Sequence, residues 1–427
     1  MAGKYASIEN ILRSEAIRQE DSVKMKNNGE PSLASSPESS NRSFLFLATS
    51  RAFRSVSVAF STLALPLFMS ALGYGPVIIG LSFLAMTLAT VFLLILYGII
   101  GDRKGYKVVL IIVDVLFSIS TLMLALGNGL GIIVLAATIG GFGGQGGGGL
   151  RGGFGPGSTA LVGRLFPESS ERVRRIGRLT FVGGIFSIAG SAMLALHGVL
   201  VADYGNAGAF RVLYALSSAI SVCSLVSILF ISEPKHHKVG AILSKESGKF
   251  VTKISMSNFI SGLGIGMAVP LLPLWFELAY HFTPSTISVV YTASSAVSAF
   301  ASLEAHRFAR FGSQVVLAAA SRALNGVLLI MMALPLGGGF ASVLYVLRGL
   351  SAGIGAPNRS AVTIGGVGSE EMGAATSLTA VANRIALGSS SIGGYLLEVM
   401  QDLPLEIGGL LQVIGGGVFY LLLKERE

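Results

Sequence analysis

Cysteine occurs once in the 427 residues, at Cys223, which excludes an internal disulfide. The five histidines are scattered without metal-ligand spacing, so metal catalysis has no support. Charge is equally sparse: charged residues make up 12% of the chain and hydrophobic residues 52%, with mean hydropathy +0.71. Such a chain cannot hide its apolar runs in one soluble core. No Gly-x-x-x-x-Gly-Lys-Ser/Thr loop is present, so energy from nucleotide hydrolysis within the chain is not expected. No Ser/His, paired-carboxylate or metal cluster falls at membrane depth, which argues against an enzyme. The polar first 40 residues lack the apolar core of a cleavable signal peptide. Within them Tyr5 to Gln19 can form a short amphipathic helix, followed by a disordered stretch ending near Asn41.

What the chain does have is long apolar runs. A bilayer-crossing helix needs about 20 residues. Cutting the runs at charged or Gly/Pro/Asn breaks predicts spans near residues 45–72, 76–98, 107–126, 130–163, 176–201, 210–231, 254–279, 285–303, 314–336, 340–364, 372–398 and 404–423. The 56 glycines read as packing surfaces where helix backbones approach closely. The segment Gly141-Phe142-Gly143-Gly144-Gln145-Gly146 matches Gly-x-Gly-x-x-Gly, but no strand precedes it, so it reads as helix packing rather than nucleotide binding. Trp275, Phe276 and Tyr280 suit an aromatic interface belt.

The most informative segment runs from Gly98 to Leu110, a charged turn between two apolar runs. Its Arg103-x-Gly105-x-x-Val108-Val109-Leu110 pattern returns 207 residues later as Arg310-x-Gly312-x-x-Val315-Val316-Leu317, and Pro66 and Pro273 share that spacing. A half-chain repeat of this kind is expected of a two-lobed membrane protein built from parallel halves.

The net charge of +9 does not signal nucleic acid, because the basic residues sit in short loops beside apolar spans. Lys104, Lys107, Arg164, Arg172, Arg174, Arg175, Lys249 and Arg307 all follow even-numbered spans, which places both termini in the cytoplasm of a cell (cytoplasmic) membrane protein. Arg211 is an exception. The expected organisation is a polar, largely disordered tail at 1–43, a six-helix lobe at 44–232, a cytoplasmic linker at 233–253, a second six-helix lobe at 254–423 and a tail at 424–427.

Gly98, Ile100, Asp102, Arg103, Gly105, Lys107 and Leu110 occupy the positions of Gly-x-Leu-x-Asp-Arg-x-Gly-Arg-Lys and its following Leu, so the turn resembles the loop motif of the major facilitator superfamily. Tyr106 stands where a basic residue is common. Leu165-Phe166-Pro167-Glu168 with Glu171-Arg172, and Pro270 to Leu274, are similar to the same family, as is Arg151 with Gly155 and Gly157 in the fourth span. Gly183, Gly184 and Gly190 lack the proline of the fifth-span motif of drug/proton antiporters. The resemblance covers roughly residues 45–423 and implies an all-α polytopic membrane protein, with 12 transmembrane helices in two pseudo-symmetric six-helix lobes. It further implies that the turn, through Gly98, Asp102, Arg103, Gly105 and Lys107, acts as a conformational latch.

Ionisable residues within spans are the candidates for solute chemistry, because each costs about 2.5–3.5 kcal/mol at mid-membrane unless it faces a cavity or partner. They are Arg151, Arg322 with Asn325, Arg348, Arg359, Arg384 beside Asn383, and Asp114. In the family fold, spans one, four, seven and ten surround the central cavity, which implies that Arg151 and Arg359 meet there with Asn258 or Glu277 and favour an anion. The alternative is that the arginines pair with helix ends or snorkel to the surface, as expected for Arg51 and Arg54. Asp114 is either a proton-coupling carboxylate or a structural salt-bridge partner. These residues point to a secondary active transporter of a small solute, an anionic or polar metabolite, coupled to an ion gradient, with the proton the expected ion. Its partners are then the small-molecule substrate, that ion and the lipid bilayer; it needs no cofactor and works as a monomer. A multidrug exporter and a transport-inactive receptor or assembly protein of the same fold are the alternatives.

Overall fold

The computed structural model describes residues 37–142, 153–166, 168–234, 244–305, 307, 312–367 and 372–424. Arg151, Gly143 to Gly146, Pro167, Arg310 and the Tyr5 to Gln19 stretch lie outside the described residues. Regular structure among the described residues is helical: α1 Pro37–Ala71, α2 Pro76–Lys104, α3 Tyr106–Leu126, α4 Leu130–Ile139, α5 Phe154–Leu165, α6 Ser169–Met193, α7 His197–Leu229, α8 Lys245–Ala268, α9 Leu272–Tyr280, α10 Pro284–Leu303, α11 Gln314–Met332, α12 Gly338–Gly365, α13 Met372–Ala386, α14 Ser390–Val399 and α15 Leu403–Leu423.

Local chemistry sets these boundaries. Thr283 and Ser313 cap α10 and α11, their hydroxyls accepting the amides of Thr286 and Val316 at 3.2 Å each. Pro76 and Pro284 open their helices, where a missing N–H costs nothing. Gly105 divides α2 from α3 at φ 101°, a conformation that a Cβ disfavours. A short 3-10 turn, Val269–Leu271, joins α8 to α9, with Pro270 and Pro273 on either side of the junction.

Nine helical segments among the described residues are long and apolar enough to cross a membrane. The difference from the expected twelve has local causes. One segment, Arg174–Leu229, runs 56 residues, far beyond the about 20 that a crossing needs, and is broken at Gly205 (φ 70°, ψ 174°). The fourth and eleventh expected spans are each divided, into α4 with α5 and α13 with α14. The first helix also starts at Pro37, well before residue 45, and Ser232 N donates to Ser43 Oγ at 3.1 Å near its beginning.

The two halves pack alike. In the first, α1 lies against α6 and α7, and α3 against α7; in the second, α8 lies against α13 and α15, and α11 against α15. The halves meet chiefly along two crossings, α6 with α10 and α2 with α14. At the α2–α14 crossing a Cβ on Gly80 would come 2.9 Å from Gly394 Cα, so backbone meets backbone. Leu88 and Phe92 of α2 are 56% and 63% exposed, and Val289 and Phe300 of α10 are exposed as well, an outer surface suited to lipid rather than water.

Packing differs between the ends of the bundle. At the end carrying turns 72–75, 127–129 and 400–402, Phe68, Phe83 and Leu124 of the first half share one core with Trp275, Phe276 and Leu397 of the second. At the opposite end, which carries the Gly105 turn, the cores are separate. Phe44, Leu110, Phe166 and Ile228 form one, and Phe250, Val315, Phe419 and Leu423 the other. The halves are therefore sealed together at one end and packed independently at the other.

Candidate functional site

Serine lines the seam between α1, α3 and α7. Ser50 and Ser224 share a 2.9 Å hydrogen bond, Ser118 and Ser221 one of 2.7 Å, and Ser57 donates to Ser217 O at 2.9 Å, all of them buried. Small hydroxyls let these backbones approach and supply hydrogen bonds where lipid supplies none. Within the seam, Arg54 Nη1 lies 2.5 Å from Asp114 Oδ1, and Ser224 Oγ donates to Asp114 Oδ2 at 2.5 Å. The Arg54 guanidinium lies over Phe117 and Phe154, 4.8 Å from each ring.

Arg51 and Arg54 therefore do not snorkel to the surface, as the sequence suggested: they are 2% and 0% exposed. The snorkelling expectation weighed their place near the start of span one, but α1 begins earlier and carries them inward. Arg51 is the more unusual of the two, because its Nε and Nη1 are buried without a hydrogen-bond partner among the described residues. A buried cation in that condition calls for an anion or water.

The second half carries a related cluster of different charge. Arg322 of α11 donates from Nη1 to Ser257 Oγ at 2.9 Å, hydrogen-bonds Asn258 Oδ1 through Nη2, and lies 4.5 Å over the Phe419 ring. Asn325 Nδ2 donates to Ser351 Oγ at 2.9 Å and ties α11 to α12. Arg359 of α12 is the like-charged neighbour of Arg322. Ser50 with Ser257, and Arg51 with Asn258, are related by the 207-residue repeat. The two halves thus place polar clusters on equivalent positions of α1 and α8. A carboxylate compensates only the first: Asp114 is the only acidic side chain buried among the described residues.

The candidate residues are gathered only in part. Arg359 and Asn258 both neighbour Arg322, while Arg151 lies outside the described residues. Glu277 is not with Asn258: 19 residues of spans α8 and α9 separate them, about 28 Å at helical rise. It sits toward the sealed end, with Ser70 of α1 as a neighbour and Oε2 unpartnered among the described residues. Arg348 lies 11 residues before Arg359, about 16 Å away along α12, beside Tyr345. Arg384 on α13 keeps a buried, unpartnered Nη1.

The Gly98 to Leu110 turn is organised by a residue that the sequence reading had assigned to the linker. Glu233 accepts the amides of Tyr106 at 2.9 Å and Lys107 at 2.7 Å, so its carboxylate caps the α3 N-terminus, and it ion-pairs with Arg164. The Arg164 guanidinium rests 4.3 Å over Tyr106, and Lys107 Nζ donates to Leu229 O at 2.8 Å. Tyr106, which departs from the family motif, is thus a platform for an arginine. Gly105 has its expected positive φ, Arg103 is exposed, and a Cβ on Gly98 would meet open space. Asp102 lies in the last turn of α2. Close by, Glu171 accepts from Arg175 at 2.8 Å, and this hydrogen bond holds the Glu171 carboxyl below its ordinary range.

Comparison with known proteins agrees with this architecture. The chain is 24% identical over 278 residues to the quinolone resistance protein NorA of Staphylococcus aureus, covering 63% of this chain and 67% of that protein. It is 26% identical over 229 residues to the multidrug resistance protein MdtG of Enterobacter lignolyticus, covering 49% and 50% of the two chains. Its fold matches a crystal structure of a D-xylose–proton symporter with TM-score 0.67 at 13% identity, over 89% of this chain and 96% of the other. A nucleoside transporter, NupG, matches with TM-score 0.65 at 15% identity, over 90% and 98%. The sequence profile of the Major Facilitator Superfamily matches residues 45–394, and this multi-pass, all-helical membrane protein, a transporter by family and not an enzyme, belongs to that superfamily.

Proposed function

We propose that this chain is a secondary active transporter that moves a small anionic or polar solute across the cell membrane by alternating access. The observation that carries the reading is charge. Inside the spans, Arg51, Arg54 and Arg322 are buried and Arg348, Arg359 and Arg384 half-buried, while Asp114 is already paired with Arg54 and Glu277 lies apart. Arginines held from water without carboxylate partners favour an anion arriving from outside. The central site consists of Arg322, Arg359 and Asn258 from the second half and Arg51 from the first. Arg151, which the family motif implies on the fourth span, is the further candidate.

Halves sealed at one end and separately cored at the other are what a rocking carrier needs. Basic turns favour the cytoplasmic side, which supports reading the separated end, and both termini, as cytoplasmic. The lobes are 44–232 and 254–423, with Glu233 serving the first lobe rather than the linker. Transport is driven by an ion gradient, with the proton as the coupling ion and Asp114 as the candidate carboxylate.

Proteoliposome flux tests the reading. Uptake or exchange of a panel of anions should be found for the wild type and reduced at least tenfold by Arg322→Gln or Arg359→Gln. A chain that carries only neutral or cationic solutes would sink it. Drug export is the second reading, because the names of NorA and MdtG denote drug resistance. Energy-dependent efflux of a fluorescent cationic dye, unaffected by Arg322→Gln, would favour it.

A further inference from the structure

A second group of unpartnered donors lies away from the central cluster. Arg348 Nε on α12 and Tyr291 Oη on α10 are both shielded from solvent with no hydrogen-bond partner among the described residues. The two helices pack against each other, and Arg348 is the charged group acting on Tyr291 and Tyr345. The Tyr291 and Tyr345 rings are 4.5 Å apart, and Arg348 Cζ is 5.9 Å from the Tyr345 ring. The Tyr345 phenol is a neighbour of Tyr291 Oη but makes no hydrogen bond of standard geometry with it. Phe276 stands edge-on to Tyr345 at 6.0 Å and closes the group on the side of the sealed core.

Leaving a shielded donor unpaired is costly, and more so for a charged one. Two such donors on facing helices, one of them a guanidinium, suit an acceptor that the chain does not itself supply. Among the described ion pairs none includes Arg348. One cation can neutralise one negative charge. Aromatic surroundings disfavour a strongly hydrated dianion such as phosphate and favour a carboxylate attached to an apolar body.

We propose that Arg348 and Tyr291 form a second oxyanion-binding station, taking a monocarboxylate with an apolar body, between the Arg322–Arg359 cluster and the sealed end of the bundle. It rests on the reading that the solute is an anion, and it narrows that solute to one chemical class. An anion released from the central pair has its next cation about 16 Å along α12.

The test is ligand binding to the purified full-length protein at neutral pH, with benzoate, acetate and inorganic phosphate as probes and Arg348→Gln, Tyr291→Phe and Arg322→Gln as variants. Benzoate should bind best, Arg348→Gln should weaken it by about tenfold or more, and Tyr291→Phe by a smaller factor. Unchanged benzoate affinity in Arg348→Gln overturns the station, as does phosphate binding as tightly as benzoate. If Arg322→Gln abolishes benzoate binding while Arg348→Gln leaves it intact, the central reading stands and the station falls. Thermal melting in anion-free buffer separates binding from bracing. Arg348→Gln removes an unpaired cation and should melt no lower than the wild type; a lower melting point would make Arg348 a structural brace and overturn the proposal.

Discussion

Arg54 and Asp114, 60 positions apart in sequence, form an ion pair whose side chains are each 1% exposed, enclosed by Phe117, Phe154 and Ser224. Breaking one side of such a pair leaves the other charge buried alone, which costs about 3–5 kcal/mol, whereas replacing both with apolar groups is close to neutral. Asp114→Asn should therefore lower the melting temperature strongly, and Arg54→Met with Asp114→Leu should recover most of the loss. A single variant as stable as the wild type would show that the pair does not hold the seam. The same variants in vesicles test coupling: if Asp114 carries the proton, Asp114→Asn loses pH-driven accumulation and keeps counterflow exchange.

Glu233 joins the α3 N-terminus to Arg164, and Gly105 lies against it: a Cβ there would come 2.7 Å from Glu233 Oε2. Glu233→Gln should cost about 1–3 kcal/mol and accelerate hydrogen exchange at the Tyr106 and Lys107 amides. Gly105→Ala should cost about 1–2 kcal/mol through its positive φ. Because both changes disturb one contact, the double variant should lose less than the sum of the two singles. Strict additivity in a double-mutant cycle would separate the turn from its cap.

At the α2–α14 crossing, Gly80 faces Ser390 O and Gly394 Cα, backbone atoms with no flexible side chain to yield. Gly80→Val should force the helices apart at a cost of about 1–3 kcal/mol. Spin labels on α2 and α14 should report a longer separation than in the wild type. An unchanged distance with full activity would mean that the halves do not pivot there.

Acid should weaken the Glu171–Arg175 contact. The Glu171 carboxyl in the folded protein titrates below its ordinary 4.5, chiefly through the Arg175 hydrogen bond. Its contribution is therefore present above the ordinary carboxylate range and lost as pH falls through the lowered value. Wild type and Glu171→Gln should differ slightly in melting temperature near neutrality and converge as pH falls through the lowered value. A difference that grows on acidification would reverse the assignment.

Much of this was legible in the residues. The Gly98 to Leu110 turn, the positive φ of Gly105 and the helical membrane class follow from short-range pattern, and the salt-bridge alternative for Asp114 was open from its place inside a span. What escaped depends on distant partners. Nothing near Glu233 says that it caps a helix 126 residues earlier, and nothing near Arg54 says that Phe154 and Ser224 will enclose its pair. The repeat held more than was drawn from it, since the spacing that aligns Arg103 with Arg310 also aligns Arg51 with Asn258. Asn258 and Glu277 were alternatives on one span, and sequence alone did not say that 19 residues put them at different depths.

The backbone contact at Gly80 sits four residues from the start of a 29-residue helix. A rod of that length measures about 43 Å, so each degree of tilt about its near tip swings the far tip by roughly 0.75 Å. If the halves rock about this contact, as proposed for the carrier, small adjustments at the fulcrum would be magnified into wide excursions of the charged turn, with the leverage set by where two glycines touch.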